Sequence, residues 1–166
     1  MSPVRSAWLS LLRAAETAGA LLLLILAAVF AVDVSLRYVL GVTASWIVDL
    51  EWTLVAAAIC LSLAPASAAD AHVRVDVLWS RFRPGLRRTV LRVGHVALLL
   101  PWCAFVAYAA SRYTYNSWLI GEGSPDPGGL PFRWAVKAFV PLGFALLGVE
   151  GVRQLFTGHT AQTGLS

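Results

Sequence analysis

Histidines, cysteines and a few carboxylates are the residues whose chemistry could give this chain a catalytic or metal-binding role. The histidines are His72, His95 and His159, and only His95 falls within a long apolar run. No second histidine stands at helical spacing from it, whereas haem or metal binding usually needs two or more convergent ligands. The sequence also contains no glycine-rich phosphate loop, HExxH pair or nucleophile elbow. We therefore expect no catalytic residue, substrate-binding residue, cofactor or metal site, and we interpret His95 as bonded to a neighbouring helix.

The two cysteines, Cys60 and Cys103, also lie within apolar runs. They form no CxxC motif, and neither stands in a loop where a structural disulfide would be expected. A buried free cysteine behaves as a small hydrophobic residue. We interpret both as packing residues.

Ionisable residues stand near the ends of the apolar runs. Asp33 and Arg37 are four residues apart, so they share a helix face on which they could pair. Arg37 and Glu51 flank the first short connection, and a bridge between them would join two runs. A solvated interfacial charge is the alternative in each case. The centres of the runs carry no charge, so they offer no site of the kind that a carrier buries there.

The composition indicates a membrane protein. Of the 166 residues, 58% are hydrophobic and 13% are charged, whereas soluble domains carry roughly 25% charged residues. The arginines that produce the net charge of +4 flank the apolar runs. Anionic lipid headgroups are therefore the expected partner of these charges, and nucleic acid is not.

Four apolar runs have the length of membrane spans. They cover residues 17–36, 47–69, 89–111 and 134–156. Each is close to the roughly 20 residues that a helix needs to cross a bilayer, and backbone in lipid must bond to itself. We predict an all-α membrane protein with one four-helix domain over residues 1–166. The first run shows no small-residue cleavage site, which favours an uncleaved span over a signal peptide.

The direction of the spans follows from the basic residues beside them. Nine lie at the two termini and the second connection: Arg5, Arg13, Arg74, Arg81, Arg83, Arg87, Arg88, Arg92 and Arg153. Four lie on the opposite side: Arg37, Arg112, Arg133 and Lys137. The positive-inside rule then predicts that both termini are cytoplasmic. This direction places Trp46, Trp52, Trp118 and Trp134 at the outer interface, which suits tryptophan.

The second connection has the pattern of a short helix lying on the membrane. Its apolar face consists of Val75, Leu78, Trp79 and Phe82, at spacing i, i+3, i+4 and i+7. Pro84 and Gly85 would end this helix. An ordinary basic loop is the alternative.

The third connection, residues 121–131, contains four glycines and three prolines. This composition excludes regular structure and limits the freedom of the backbone. It indicates either a shaped surface for a partner or a tight connector.

Several strings of residues carry a family resemblance. They are Arg37-Tyr38-Val39-Leu40-Gly41, Trp46 with Glu51-Trp52, Ala71-His72-Val73-Arg74-Val75-Asp76, Gly123-Ser124-Pro125-Asp126 with Pro131, and Ala138-Phe139-Val140-Pro141-Leu142-Gly143-Phe144. Together they resemble the small membrane subunit, of the DctQ type, of tripartite ATP-independent periplasmic (TRAP) transporters. The resemblance covers nearly the whole chain, in order.

The resemblance implies a place in a three-part importer of the bacterial inner membrane. A large permease subunit would carry the substrate and sodium sites and move as an elevator, and a periplasmic binding protein would deliver an organic acid. This chain would be the non-catalytic scaffold. The residues that match the family strings would be structural or subunit contacts: Arg37, Trp46, Glu51, Trp52, His72, Arg74 and Asp76.

Two other classes of function stay open on the sequence. A membrane-anchor subunit of a redox complex would use His95 and the four-helix count. A small exporter acting alone would need an acidic residue within a span, and Glu16 stands close to a membrane edge.

Overall fold

All regular structure in the described residues is helical. The computed structural model describes residues 3–69 and 84–157. Its α-helices are α1 (Pro3–Ser35), α2 (Ser45–Ala68), α3 (Pro84–Gly94), α4 (Leu100–Leu119) and α5 (Arg133–Thr157). Two π-helical turns, Leu36–Leu40 and His95–Leu99, extend α1 and join α3 to α4.

Four of these helices are long and apolar enough to span a membrane, as the sequence predicted. They are Ser6–Leu40, Ser45–Ala68, Arg92–Leu119 and Arg133–Phe156, and we number them as spans one to four. The second and fourth agree with the predicted runs to within two residues at each end. The first helix begins well before residue 17, and the third span continues beyond residue 111. Alanine, leucine and arginine favour helix whether or not the segment is apolar, so helix extends past the hydrophobic run.

The predicted interfacial helix falls on residues 70–83, outside the described part of the chain. His72, Arg74 and Asp76 lie in the same segment, together with Val75, Leu78, Trp79 and Phe82. The direction of the spans and the extent of the domain over residues 1–166 likewise stay predictions.

The four spans pack as a row. Span one packs against span two, span two against span four, and span four against span three. In the most apolar window of each span, 33% and 22% of residues are buried for spans two and four, against 11% and 6% for spans one and three. Spans two and four are therefore the middle of the row, and spans one and three are its edges.

Small residues bring neighbouring spans together. A Cβ atom added to Gly143 would lie 2.5 Å from the carbonyl oxygen of Cys60 and 2.8 Å from its Cβ. A Cβ on Gly19 would lie 2.7 Å from the hydroxyl of Ser62, and one on Gly148 would lie 3.4 Å from the Cβ of Cys103. Such close approach is the usual basis of helix association in lipid. Cys60 and Cys103 are buried and unpaired, which confirms their interpretation as packing residues.

Both π-helical turns have a local cause. Leu36–Leu40 is followed by Gly41, whose N–H donates to the carbonyl of Leu36. The left-handed backbone of Gly41 (φ 65°) then turns the chain so that the N–H of Val42 donates to the same carbonyl at 3.3 Å. His95–Leu99 lies just before Pro101, whose ring would clash with the carbonyl four residues earlier and which has no N–H to donate. A wider turn accommodates both features of the proline.

Candidate subunit-contact site

The polar residues of the described chain gather near the two ends of the spans, on opposite sides of the row. We call the end that holds the connection 41–44 and the loop 120–132 the loop end. We call the opposite end, which holds the start of α1 and the end of α5, the terminal end. Four of the contact residues implied by the family resemblance are described by the structure, and all four lie at the loop end: Arg37, Trp46, Glu51 and Trp52.

The predicted ion pair between Asp33 and Arg37 is present at the loop end. Arg37 Nη2 donates to Asp33 Oδ2 at 2.8 Å. Asp33 is 2% exposed, and its second oxygen, Oδ1, has no hydrogen-bond partner among the described residues. Arg37 therefore engages the acid on its own helix, rather than bridging to Glu51.

Glu51 faces a groove between spans one and two. The groove has a volume of about 430 Å³ and is lined by Leu23, Leu26, Ala27, Phe30, Glu51, Trp52 and Val55. Glu51 is half-buried, and within residues 3–69 and 84–157 no donor reaches its buried Oε1. Trp52 at the rim is 69% exposed. The predicted contact residues Arg37, Glu51 and Trp52 are thus brought together at one end, and Trp46 is also exposed there.

The loop 120–132 is closed by backbone hydrogen bonds and attached to span two. Asp49 Oδ2 accepts from the N–H of Leu130 at 2.9 Å, and the N–H of Ser124 donates to the carbonyl of Leu130 at 3.0 Å. The N–H of Arg133 donates to the carbonyl of Glu122 at 3.2 Å. These bonds hold the loop in a compact shape, which suits both a tight connector and a shaped surface for a partner. Contact of this loop with a partner stays a prediction.

Lys137 ties the loop to spans three and four. Its ammonium pairs with Glu122 and lies 3.9 Å from the centre of the Tyr113 ring. Arg133 stands 3.9 Å from the same carboxylate. The hydrogen bond from Lys137 is the main cause that lowers the pKa of Glu122 below its ordinary value. In the sequence, Lys137 and Arg133 bear only on the direction of the spans, and no local pattern indicates this cluster.

The terminal end contains a buried carboxylate with a complete set of donors. Glu150 is fully buried. It accepts from Arg153 Nε and Nη2 at 2.7 and 2.6 Å, from Trp8 Nε1 at 2.8 Å and from Gln154 Nε2 at 2.9 Å. The two bonds from Arg153 form the bidentate arrangement that makes such pairs strong.

Gln154 extends this set to the other two spans. Its amide nitrogen donates to the carbonyl of Ser67 at 3.0 Å, and its amide oxygen lies 3.0 Å from His95 Nε2. An amide oxygen only accepts, so His95 Nε2 carries the proton in this contact. His95 is bonded to a neighbouring helix, as its sequence context indicated. The terminal network, defined as Trp8, Ser67, His95, Glu150, Arg153 and Gln154, therefore joins all four spans.

Nothing in the sequence singled out Glu150 among the ionisable residues near the ends of the apolar runs. The available signal was a glutamate followed three and four residues later by Arg153 and Gln154, a spacing that puts all three on one helix face. Trp8 could not be found in this way, because its contact with Glu150 joins residues 142 positions apart. In residues 3–69 and 84–157 no three histidine, cysteine or acidic side chains converge in a way that could hold a metal ion.

Comparison with known proteins gave one family. The model of the family described as "Tripartite ATP-independent periplasmic transporters, DctQ component" matches residues 25–160. That range includes the loop, every groove residue except Leu23 and every member of the terminal network except Trp8. Among proteins of curated function, none matches the chain significantly.

Proposed function

This chain belongs to the DctQ family, the small permease component of TRAP transporters, and we propose that it is the scaffold subunit that braces the large permease subunit. In this role it holds no substrate or ion site. The large subunit carries those sites and moves as an elevator, while a periplasmic binding protein delivers an organic acid. A sodium gradient drives import. The chain lies in the bacterial inner membrane with both termini in the cytoplasm.

One observation carries the scaffold role. The polar contacts of the described spans lie near the ends of the helices, and small residues pack the helices together between those ends. Gly143 packs directly on Cys60, and Gly148 lies against Cys103. A transport path needs polar groups or broken helices near the bilayer centre. A row packed in this way supports the role of a fixed wall, against which another subunit can move.

The edges of the row support the need for a partner. Large apolar side chains are exposed along spans one and three, among them Leu24, Phe30, Leu98 and Phe105. Only lipid or another membrane protein can cover such surfaces. A single layer of helices also has two broad faces, so one face can meet a partner while the other meets lipid.

The test is to isolate the chain gently from its native membranes by a tag and to identify what accompanies it. We expect a stoichiometric, larger polytopic membrane protein. Vesicles that contain both proteins, supplied with the binding protein, should accumulate an organic acid when a sodium gradient is imposed. Vesicles with this chain alone should accumulate none. Isolation of the chain with a haem protein, or uptake by the chain alone, would refute the scaffold role.

A further inference from the structure

We propose that the groove between spans one and two receives a lysine or arginine side chain from a transmembrane helix of the large permease subunit, with Glu51 as its acceptor. This assignment rests on the proposed function, since it takes the large subunit as the source of the cation. It adds the position of a contact and the chemistry of the residue that fills it.

The first reason is the state of the Glu51 carboxylate. Its Oε1 is buried, and it meets no donor in the part of the chain that the structure describes. Buried carboxylates in proteins are normally paired or hydrogen-bonded, because an isolated charge is strongly disfavoured away from water. Hydrocarbon chains cannot donate a hydrogen bond. The described residues thus leave a place for a donor, which a molecule that enters the groove can fill.

The second reason is the charge of this corner of the molecule. Asp33 and Glu51 are both acidic, and each keeps one buried oxygen without a partner in residues 3–69 and 84–157. Arg37 pairs with Asp33, and Glu51 Oε1 meets no donor among the described residues. The Glu51 carboxylate therefore keeps a negative charge that no ion pair in this part of the chain balances. A cation complements that charge, whereas an acidic group would be repelled.

The third reason is the depth of Glu51. It stands six residues after Ser45, where α2 begins, so the helical rise places it about 9 Å along α2 from that residue. A lysine or arginine on a helix lying beside span one can occupy that depth directly, with its aliphatic stem against the apolar wall.

The fourth reason is the shape and position of the groove. Its other walls are apolar, and span one, which forms one of them, is an edge of the row that packs mainly on span two. A helix can therefore approach the groove from the side. Trp52 stands exposed at the rim, and tryptophan is enriched among the residues that dominate protein interfaces.

The first experiment varies the charge of Glu51 in the full transporter. Glu51→Gln keeps the shape of the side chain but removes its charge, and Glu51→Lys reverses the charge. We expect retention of the large subunit on the tagged chain to fall about tenfold for Glu51→Gln and to be lost for Glu51→Lys. Glu16→Gln is the matched control: it removes an exposed carboxylate from the same pair of spans and should leave retention unchanged.

The second experiment identifies the partner residue. A photo-crosslinking amino acid at Trp52 should capture a membrane-spanning peptide of the large subunit that contains lysine or arginine. Replacing that basic residue by glutamate should weaken retention, and combining the replacement with Glu51→Lys should restore it. Restoration cannot come from a variant that fails to fold, so it separates contact from misfolding.

Two results would overturn the assignment while leaving the scaffold role intact. One is full retention of the large subunit by Glu51→Gln and Glu51→Lys. The other is crosslinking from position 52 to lipid alone, or to a second copy of this chain. If the unaltered chain retains no large subunit at all, the proposed function fails and the assignment fails with it.

Discussion

Glu51 and Glu150 are the same residue in comparable positions, six residues after the start of α2 and seven before the end of α5. Glu150 is fully buried and accepts four hydrogen bonds from Trp8, Arg153 and Gln154. Glu51 is half-buried and keeps one oxygen for which the described residues provide no donor. Spans two and four each pack on two other spans, so the difference is local: four hydrogen bonds converge on Glu150, whereas Glu51 lines a groove.

The difference lies in the side chains that reach each carboxylate. Three of the four hydrogen bonds to Glu150 come from Arg153 and Gln154 on its own helix, and the fourth comes from Trp8 on span one. For Glu51 Oε1 the described residues supply no such donor. The terminal end is therefore internally stabilised, and the loop end of spans one and two retains capacity for a partner.

The largest effect should follow from breaking the terminal network. Glu150→Ala leaves the Arg153 guanidinium, the Trp8 indole and the Gln154 amide without their shared acceptor. Removing one partner of a buried ion pair costs about 3–5 kcal/mol. We expect a loss of that size in the stability of the purified chain, measured by thermal unfolding in detergent. Replacing Glu150 and Arg153 together by leucine should recover part of the loss, because no buried charge then lacks its counterpart.

Thermal unfolding should show a much smaller loss of stability for substitution of Glu51 than for substitution of Glu150. In the chain without its partner, Glu51→Gln should change stability by no more than about 0.5 kcal/mol, as for a surface substitution, whereas Glu150→Gln should be clearly destabilising. A Glu51→Gln loss as large as that of Glu150→Gln would mean that Glu51 is already satisfied within the chain, and the comparison between the two ends would fail.

An effect smaller than that of Glu150→Ala should come from the close packing of spans two and four. Gly143→Ala would place a methyl group 2.5 Å from the Cys60 carbonyl oxygen, so spans two and four must separate. Overpacking of this kind costs about 1–3 kcal/mol. Gly94→Ala is the matched control, since nothing lies within 4 Å of the added carbon and the backbone there is helical. Equal unfolding temperatures for the two variants would argue against close contact of spans two and four.

The smallest effect concerns the ion pair of Glu122 and Lys137. The pKa of Glu122 is lowered, chiefly by the hydrogen bond from Lys137. A lowered pKa in the folded state stabilises the fold fully above the ordinary glutamate pKa of about 4.3. The contribution is lost as the pH falls from there through the folded-state pKa. Thermal unfolding of Glu122→Gln and of the unaltered chain should therefore differ near neutral pH and converge in acid. A constant difference across the pH range would show that the pair does not stabilise the loop.

Local features of the chain were predictable because they depend on neighbours in sequence. Hydropathy located all four spans, since lipid forces any such run into helix. The pair of Asp33 and Arg37 followed from i, i+4 spacing. The placement of Cys60, Cys103 and His95 followed from their apolar surroundings. The first helix was predicted too short, because the helix continues beyond both ends of the hydrophobic run.

Contacts between spans could not be predicted from neighbours in sequence. Connection lengths and hydropathy are compatible with several arrangements of four helices, and no local pattern indicates that span two lies between spans one and four. Glu150 illustrates the consequence. It resembled other charges near span ends, and only its meeting with Trp8 made it the centre of a network.

The sequence by itself determined that the chain crosses a membrane, where its helices run and which family it resembles, because these follow from composition, period and short motifs. The tertiary structure alone decided the order of the spans in the row, and with it the fate of each polar group. Hydrogen bonds between spans act over about 3 Å, so a carboxylate is satisfied or left open according to which side chains reach it. That is why Glu150 is fully hydrogen-bonded at the terminal end, while Glu51 at the loop end keeps one oxygen for which the described residues provide no donor.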